Sequence, residues 1–217
     1  MAGVTLHDGK IFGTTTYGGS GTYCGALEGQ TVGCGTVFEL ASGASGGWTE
    51  TVLHNFNGTD GTYADANLIF DKSGNLYSTT AGGNNYGAGA IGVVFELSPT
   101  TQSGAWIISI LYDFDSTTSG NNPVGGLVID GSGNLYGATT YGMNYTRHCD
   151  LGGCGGVFQL VSDGSGGWTE NVIYGFRGGN DGFFPLAGLV FGKAGNLYGT
   201  TAEGGTSNDG TVFTVTP

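Results

Sequence analysis

The stretch Asn75-Leu76-Tyr77-Ser78-Thr79-Thr80 decides the fold, because the chain repeats it about every 60 residues. Every copy has an aromatic residue at the third place and a threonine at the sixth. The other copies are Lys10-Ile11-Phe12-Gly13-Thr14-Thr15, Asn134-Leu135-Tyr136-Gly137-Ala138-Thr139 and Asn196-Leu197-Tyr198-Gly199-Thr200-Thr201. A second phrase centred on Val-Phe follows each copy, at Thr36–Leu40, Val93–Leu97, Gly156–Leu160 and Thr211–Val215. The chain therefore contains four related repeats.

Two further phrases complete the repeat. A short apolar run precedes the first phrase at Leu68–Asp71, Leu127–Asp130 and Leu189–Gly192, with Val4–His7 as a degenerate copy. A longer run that starts with tryptophan follows the Val-Phe phrase at Trp48–Phe56, Trp106–Phe114 and Trp168–Phe176. Period-two alternation predicts that the Trp, the central residue (Val52, Ile110 or Val172) and the final Phe of each run share one strand face. The four phrases predict four strands, which we call a, b, c and d.

The same pattern predicts the fold class. β-branched and aromatic residues dominate the apolar runs, and no segment shows the 3.6-residue periodicity of an amphipathic helix. Asp71-Lys72-Ser73-Gly74-Asn75 and Asp130-Gly131-Ser132-Gly133-Asn134 are typical of tight turns between strands a and b. Four antiparallel strands per repeat form the blade of a propeller. We predict an all-β β-propeller, a single domain over 1–217 with repeats at approximately 3–65, 66–125, 126–186 and 187–217.

The count of strands is unequal. Strands a, b and c occur four times, whereas the Trp-initiated strand d occurs three times, so the last blade is expected to lack it. Three interpretations stay open. The chain could form a four-bladed ring with one three-stranded blade, it could be a segment of a longer propeller, or several chains could pair through the open edge as an oligomer or filament.

Composition excludes several classes of partner. The formal net charge is −12, from 17 acidic and 5 basic residues, and the basic residues are not clustered, which argues against a nucleic-acid partner. No apolar run approaches the roughly 20 residues of a membrane span. Gly is abundant, at 47 residues, but aromatics at 12% and hydrophobic residues at 38% supply enough apolar surface for a folded core. The N-terminal residues do not resemble a signal peptide.

The four cysteines fall into two local pairs in loops between strands b and c. Cys34 and Cys154 occupy nearly matching places before the Val-Phe strand, with Cys24 and Cys149 close by in sequence. Matched positions with near partners predict two loop-closing disulfides, which suits an oxidising compartment. The alternative is a metal site of cysteines with His148, which the wide spacing from Cys149 to Cys154 disfavours.

Three stretches carry a resemblance to a known family. They are Gly74-Asn75-Leu76-Tyr77-Ser78-Thr79-Thr80, Gly35-Thr36-Val37-Phe38-Glu39-Leu40 and Asp181-Gly182-Phe183-Phe184-Pro185-Leu186-Ala187-Gly188-Leu189. They resemble the GloVer tandem-repeat (choice-of-anchor) proteins over nearly the whole chain. The resemblance implies an exported bacterial, propeller-like protein, in a family with varied C-terminal surface anchors. The family has no assigned activity, so the resemblance assigns no catalytic residue to this chain. We expect the signal peptide and the anchor to lie outside the 217 residues.

The loops from b to c and from d to a are the candidate binding surface. In an up-and-down blade both emerge on the same face, and here they are the longest and most variable segments. Aromatic rings beside carboxylates and amides suit sugar binding, although the same residues would also serve to pack long loops. The candidate residues are Tyr17, Tyr23, Asp60, Tyr63, Asp65, Tyr86, Tyr141, Arg147, His148, Asp150, Arg177, Asp181, Phe183 and Phe184.

These observations lead to one principal hypothesis and two alternatives. The absence of a Gly-x-Ser-x-Gly or His-Glu-x-x-His motif favours a non-enzymatic extracellular module for adhesion, glycan binding or surface assembly. A secreted carbohydrate-active hydrolase or lyase is the first alternative, because acids are numerous. Self-assembly through open blade edges is the second. No cofactor is predicted, calcium is left open as a ligand, and the expected location is secreted or cell-surface.

Overall fold

The computed structural model describes residues 2–21, 24, 26–27, 30–44, 46–82, 91–102, 104–115, 118–149 and 152–217. Within these residues the strands form four antiparallel sheets and one small hairpin, with one turn of 3-10 helix at Gly179–Asp181 and no α-helix. The prediction of an all-β fold built from blade-like repeats is confirmed.

Each sheet corresponds to one repeat, and we number them blades 1 to 4. Blades 1 to 3 have four strands each, in the spatial order a, b, c, d. Blade 1 comprises β1 (Thr5–His7), β2 (Lys10–Thr15), β5 (Thr36–Ser42) and β6 (Trp48–Asn55). Blade 2 comprises β7 (Ile69–Phe70), β8 (Leu76–Thr80), β9 (Val93–Pro99) and β10 (Trp106–Asp113). Blade 3 comprises β11 (Val128–Ile129), β12 (Leu135–Thr139), β13 (Gly156–Ser162) and β14 (Trp168–Gly175).

Blade 4 has three strands, β15 (Val190–Phe191), β16 (Leu197–Thr201) and β17 (Thr211–Val215), in that order. The predicted absence of its strand d is confirmed, and β17 is left as the edge of its sheet. A short hairpin that the sequence did not predict, β3 (Ala26–Leu27) with β4 (Gln30–Thr31), lies in the b-to-c loop of blade 1.

The chain divides into two compact units, residues 1–111 and 112–217. The first holds blade 1 and most of blade 2, and the second holds blades 3 and 4. The apolar core of the first unit includes Phe12, Phe56 and Phe95, and that of the second includes Tyr136 and Phe176. The prediction that all four repeats form a single domain stays a prediction.

The turns from a to b are held by one carboxylate each. Asp130 Oδ1 accepts hydrogen bonds from the backbone N–H of Ser132 (2.8 Å) and Asn134 (2.9 Å). Its Oδ2 accepts from the Asn134 amide (2.8 Å) and the Tyr136 hydroxyl (3.0 Å). Asp71 makes the same four bonds in blade 2. Although desolvation opposes it, these bonds hold the pKa of Asp130 below its usual value, because they stabilise the carboxylate. The aspartates are thus turn formers.

The d strands differ from the prediction in one respect. In blade 1, Val37 pairs with His54 but the next residue, Phe38, pairs with Val52, so Leu53 is the extra residue of a β-bulge. After Val52 the bulge reverses which side chains of the strand point to each face of the sheet. Trp48 and Val52 are therefore exposed whereas Phe56 is buried, and the predicted shared face of all three residues is wrong. Blade 3 has the same bulge between Val157 and Phe158.

The buried phenylalanine directly after each d strand contacts the c-strand phenylalanine of the next blade. Phe56 meets Phe95 edge-to-face at 5.3 Å between ring centroids in the first compact unit. The second unit has two such pairs, Phe114 with Phe158 at 5.1 Å and Phe176 with Phe213 at 4.9 Å. The same aromatic contact thus recurs within both compact units, and in blades 1 and 3 the bulge turns the phenylalanine inward.

This contact predicts that the stability of the protein is sensitive to substitution of the c-strand phenylalanine. Phe158 is fully buried, so Phe158→Ala should lower the free energy of unfolding by about 3–5 kcal/mol, measured by urea denaturation. Phe191→Ala is the matched control, because Phe191 is 37% exposed and should lose less than half as much. Equal losses in the two variants would contradict the importance assigned to the repeated contact.

Candidate functional site

Two disulfides anchor the loop surface, as predicted. Cys24 is bonded to Cys34 in the b-to-c loop of blade 1, and Cys149 to Cys154 in that of blade 3. All four cysteines are buried, and none of them is a free thiol. The alternative of a cysteine–histidine metal site is therefore wrong. Elsewhere in the described part of the chain, no three His, Cys, Asp or Glu side chains converge as a metal-binding group.

The first disulfide lies beside a pair of tyrosines. Tyr63, from the d-to-a loop, donates its backbone N–H to the Cys34 carbonyl (3.2 Å) and its hydroxyl to the Cys24 carbonyl. Tyr17, from the b-to-c loop, packs edge-to-face on Tyr63 at 5.6 Å and is 40% exposed. We call Tyr17, Tyr63, Cys24 and Cys34 the first aromatic cluster. In this cluster Tyr17 is partly exposed to solvent and packs against the ring of Tyr63.

The second disulfide has a matching arrangement. Phe184, from the d-to-a loop, donates its N–H to the Cys154 carbonyl (3.1 Å). Tyr141 packs edge-to-face on Phe184 at 5.1 Å and is 36% exposed, while the buried Phe183 supports Phe184 at 4.8 Å. We call Tyr141, Phe184, Cys149 and Cys154 the second aromatic cluster. Four of the predicted site residues thus fall into two equivalent pairs, each in its own compact unit.

The backbone at the centre of both clusters is unusual. Tyr63 and Phe184 have φ values of 58°, a left-handed conformation that aromatic residues rarely adopt. Asn122 occupies the corresponding place before blade 3 and has φ 56°. The conformation is held on both sides by hydrogen bonds, because Ala202 N–H also donates to the Phe184 carbonyl (3.0 Å). It is a feature of the repeat, and sequence analysis missed it because neither aromatic residue signals a positive φ.

Asp60 and Asp181 each form hydrogen bonds that stabilise the loop in which they lie. Asp60 binds the His54 Nε2 (2.9 Å) and the backbone N–H of Asn57 (2.9 Å). Asp181 accepts from the Tyr174 hydroxyl (2.7 Å) and the Arg177 backbone N–H (2.9 Å). The bond to Asp181, and then burial, raise the pKa of Tyr174, which keeps this hydroxyl a donor. Both carboxylates join the end of a d strand to the loop that follows it.

The remaining predicted residues are distributed over the same loops. Asp65 accepts a hydrogen bond from the Thr16 hydroxyl in the neighbouring b-to-c loop. Arg147 and His148 are exposed beside the second disulfide, and Arg147 Nε donates to His148 Nε2 (3.4 Å). Arg177 is exposed, and its carbonyl accepts from the Thr146 hydroxyl (3.0 Å), which brings the two arginine-bearing loops together. Tyr23, Tyr86 and Asp150 lie outside the described residues.

Comparison with known proteins places the chain in a family. The model of the Gloeobacter/Verrucomicrobia repeat matches residues 1–213. The chain belongs to this family. The resemblance that the repeated phrases indicated is therefore confirmed. A search of curated proteins returns no match, so no residue of this Gloeobacter/Verrucomicrobia repeat inherits a role from a relative. Among its described residues, no helix is long and apolar enough to cross a membrane.

One acid of this Gloeobacter/Verrucomicrobia repeat stands out from the other copies. Glu50 and Glu170 occupy the same place in the d strands of blades 1 and 3, after the same Trp-Thr dipeptide. Glu50 is exposed, whereas Glu170 is half-buried and its Oε1 has no hydrogen-bond partner among the described residues. Burial, and secondarily the charge of Asp115, raise the pKa of Glu170 to about 7. Sequence gave no sign of this difference, because the two tripeptides are identical.

The raised pKa predicts a specific dependence of stability on pH. Between pH 4.5 and about 7 the unfolded chain has lost the Glu170 proton and the folded chain retains it, so stability should fall as pH rises through this window. Glu170→Gln should remove that decline and raise the free energy of unfolding at pH 8 by about 1 kcal/mol, a value reduced for partial solvent screening. Urea denaturation at pH 5 and pH 8 measures both effects.

Glu50→Gln provides the matched control, because it makes the same change at the same place of blade 1, where the carboxyl is exposed. A Glu170→Gln protein with the same slope as the parent over this window would show that the carboxyl is ionised at neutral pH despite its burial.

Proposed function

We propose that this protein is a non-enzymatic extracellular binding module that holds neutral glycans on the face formed by its b-to-c and d-to-a loops. The observation that carries the proposal is the pair of aromatic clusters. Each presents one exposed tyrosine, Tyr17 or Tyr141, that rests on a second ring and lies beside a disulfide.

Exposed tyrosines held in this way suit the apolar faces of sugar rings. An aromatic ring covers the C–H face of a pyranose, and the phenolic hydroxyl stays available to sugar hydroxyls. A ring that is already fixed loses little conformational entropy when a ligand binds. Tyr63 and Phe184 are held by hydrogen bonds to the disulfide loops, so the rings that support Tyr17 and Tyr141 are fixed before any ligand arrives.

The charges of the protein favour a neutral ligand. A net charge of −12 repels polyanions at long range. At short range, Arg147, His148 and Arg177 add exposed hydrogen-bond donors to the loops beside the second cluster. Two disulfides in a chain of this size support an oxidising, extracellular compartment. Together these features support recognition of neutral polysaccharide outside the cell.

The proposal predicts that the two exposed tyrosines carry affinity. Affinity electrophoresis in gels containing neutral polysaccharides, preceded by a glycan array to select them, should show retardation of the parent protein. Tyr17→Ala and Tyr141→Ala should each weaken binding by about five- to tenfold, the loss expected for one stacked ring, and the double variant should weaken it further.

Tyr198→Ala is the matched control, because Tyr198 is 41% exposed but lies on strand β16, away from the loops. Failure of the parent to bind any neutral glycan, or equal binding by the parent and the double variant, would overturn the proposal.

The second candidate function is a secreted carbohydrate-active hydrolase, favoured by the raised pKa of Glu170. A protonated carboxyl at neutral pH is what a glycosidase uses as its general acid, together with a second carboxylate across the substrate. Asp115 is the acid whose charge acts on Glu170, but its carboxylate is bound by the backbone N–H of Thr118 (3.0 Å) and Ser119 (3.2 Å). Release of reducing ends from a polysaccharide panel, abolished by Glu170→Gln, would support hydrolysis in place of binding.

A further inference from the structure

We infer that a groove between blades 1 and 2 is a further saccharide site, which holds a neutral sugar ring on Trp106 and binds its adjacent hydroxyls through Lys10 and Glu39. The groove lies where the a-to-b turns and the c-to-d loop of these blades meet. These segments are at the opposite end of the strands from the b-to-c and d-to-a loops. The site is therefore separate from the loop face proposed above, and all the residues that line it belong to the first compact unit.

The groove consists of two adjoining spaces. Their volumes are about 270 Å³ and about 390 Å³, close to the range of small-ligand sites. Both spaces are lined by Lys10, Glu39, Pro99 and Trp106. The lining as a whole is mixed, because apolar, neutral polar and charged side chains all contribute to it. Aromatic surface with a few polar groups beside it is typical of sites that bind small polar molecules.

The sequence of blade 1 departs from the other copies at this groove. In blades 2 and 3 the a-to-b turn starts with Asp71 or Asp130, which accepts hydrogen bonds from an asparagine amide and a tyrosine hydroxyl. Blade 1 has a shorter turn, in which His7 pairs with Lys10 and the two residues between them, Asp8-Gly9, both have positive φ. His7 thus takes the place of the aspartate, and Lys10 takes that of the asparagine.

A third departure is Phe12, which takes the place of the tyrosine in the b strands of blades 2 and 3. Without the aspartate and the tyrosine hydroxyl, the side chains of this turn make other contacts. His7 stacks on Phe70 of blade 2, with 3.8 Å between the ring centroids and 11° between the ring planes. Lys10 Nζ lies 2.9 Å from Glu39 Oε1. His7, Lys10 and Phe12 all line the groove, so three departures from the repeat converge on one space.

The ion pair of Lys10 and Glu39 places a hydrogen-bond donor beside an acceptor. In blade 3 the place of Glu39 is occupied by Gln159, whose amide donates to the Tyr136 hydroxyl (2.7 Å). The Lys10 side chain is 45% exposed and that of Glu39 is 13% exposed, so the lysine is the more accessible partner. An ammonium has three donors and a carboxylate has about four acceptor sites, so the contact between them leaves capacity on both. Two neighbouring sugar hydroxyls match this pair, because one donates to the carboxylate and the other accepts from the ammonium.

Trp106 provides the surface for the sugar ring. It lines both spaces, and its half-buried side chain packs against the core of the first unit. An indole ring covers the apolar C–H face of a pyranose, and a ring that is already fixed loses little entropy on binding. The charges of the groove favour a neutral sugar. Lys10 and Glu39 offset each other, and the exposed carboxylate of Asp8 disfavours an acidic ligand.

Tryptophan fluorescence tests the inference with the intact protein. The probes are four neutral disaccharides, namely maltose, cellobiose, lactose and melibiose, and at least one of them should change the emission saturably. Trp106→Phe should remove this change, because Trp48 and Trp168 do not line the groove, and Trp48→Phe is the matched control that should keep it. No saturable change with any of the four sugars would overturn the inference, as would an unaltered response of the Trp106→Phe protein.

Variants of the ion pair test the hydrogen bonds. Lys10→Met and Glu39→Gln should each weaken the sugar by at least about fivefold, the loss expected for one hydrogen bond to a charged group. Glu96→Gln is the control, because Glu96 has the same place in blade 2 but does not line the groove, and it should change the affinity by less than about twofold. Lys10 is exposed, so Lys10→Met decides the test if Glu39→Gln does not fold. Equal affinity of the parent and the Lys10→Met protein would contradict the assigned site.

The loop face is distinguished from the groove by the double variant Tyr17→Ala, Tyr141→Ala. This protein should bind the disaccharide with an affinity within about twofold of the parent, because neither tyrosine lines the groove. Loss of disaccharide binding in the double variant would assign the sugar to the loop face and overturn the inference. Polysaccharide binding by the loop face is measured separately, so each proposal can fail without the other.

Discussion

The contact between the c-strand phenylalanine and its neighbours is the constraint on which the rest of the structure depends. Phe38, Phe158 and Phe213 each lie over a glycine of the adjoining b strand, at Gly13, Gly137 and Gly199, where an added Cβ would overlap the ring. Blade 2 has Ser78 at this place, and its hydroxyl donates to the carbonyl of Asn67 (3.0 Å). A ring packed this tightly fixes the b and c strands of one blade and receives the d-strand phenylalanine of the preceding blade.

The bulge and the loops follow from this packing. The extra residue in the d strand explains why Trp48 is exposed whereas Phe56, directly after the strand, is buried. The loop after Phe56 contains Tyr63. The positive φ of Tyr63 is maintained by backbone hydrogen bonds to blade 1 and to blade 2. The aromatic clusters are thus extensions of the core to the surface. Hydrogen bonds and ring contacts that belong to the fold therefore also position the candidate binding surface.

The proposed functions are assigned to places where the copies of the repeat differ. The d-strand position of Glu170 is occupied in blade 2 by Ile108, which packs in the core of the first unit. The disulfides occur in blades 1 and 3, where they stabilise the loops that carry Tyr17 and Tyr141. Blade 4 has three strands, and a groove lined by both apolar and polar side chains lies beside β17. Each difference alters a surface without altering the phenylalanine packing beneath it.

The sequence by itself determined the features that are local and repeated. These are the strands, the Asp130-type turns, the disulfide pairs and the missing d strand, because each depends on residues near one another in the chain. Only the tertiary structure decided the bulge, the left-handed Tyr63 and Phe184, and the state of Glu170. Trp48-Thr49-Glu50 and Trp168-Thr169-Glu170 are the same tripeptide, yet one carboxyl is in solvent and the other is half-buried near Asp115. Burial and charge are set by the residues that fold against a side chain, and these are distant in sequence.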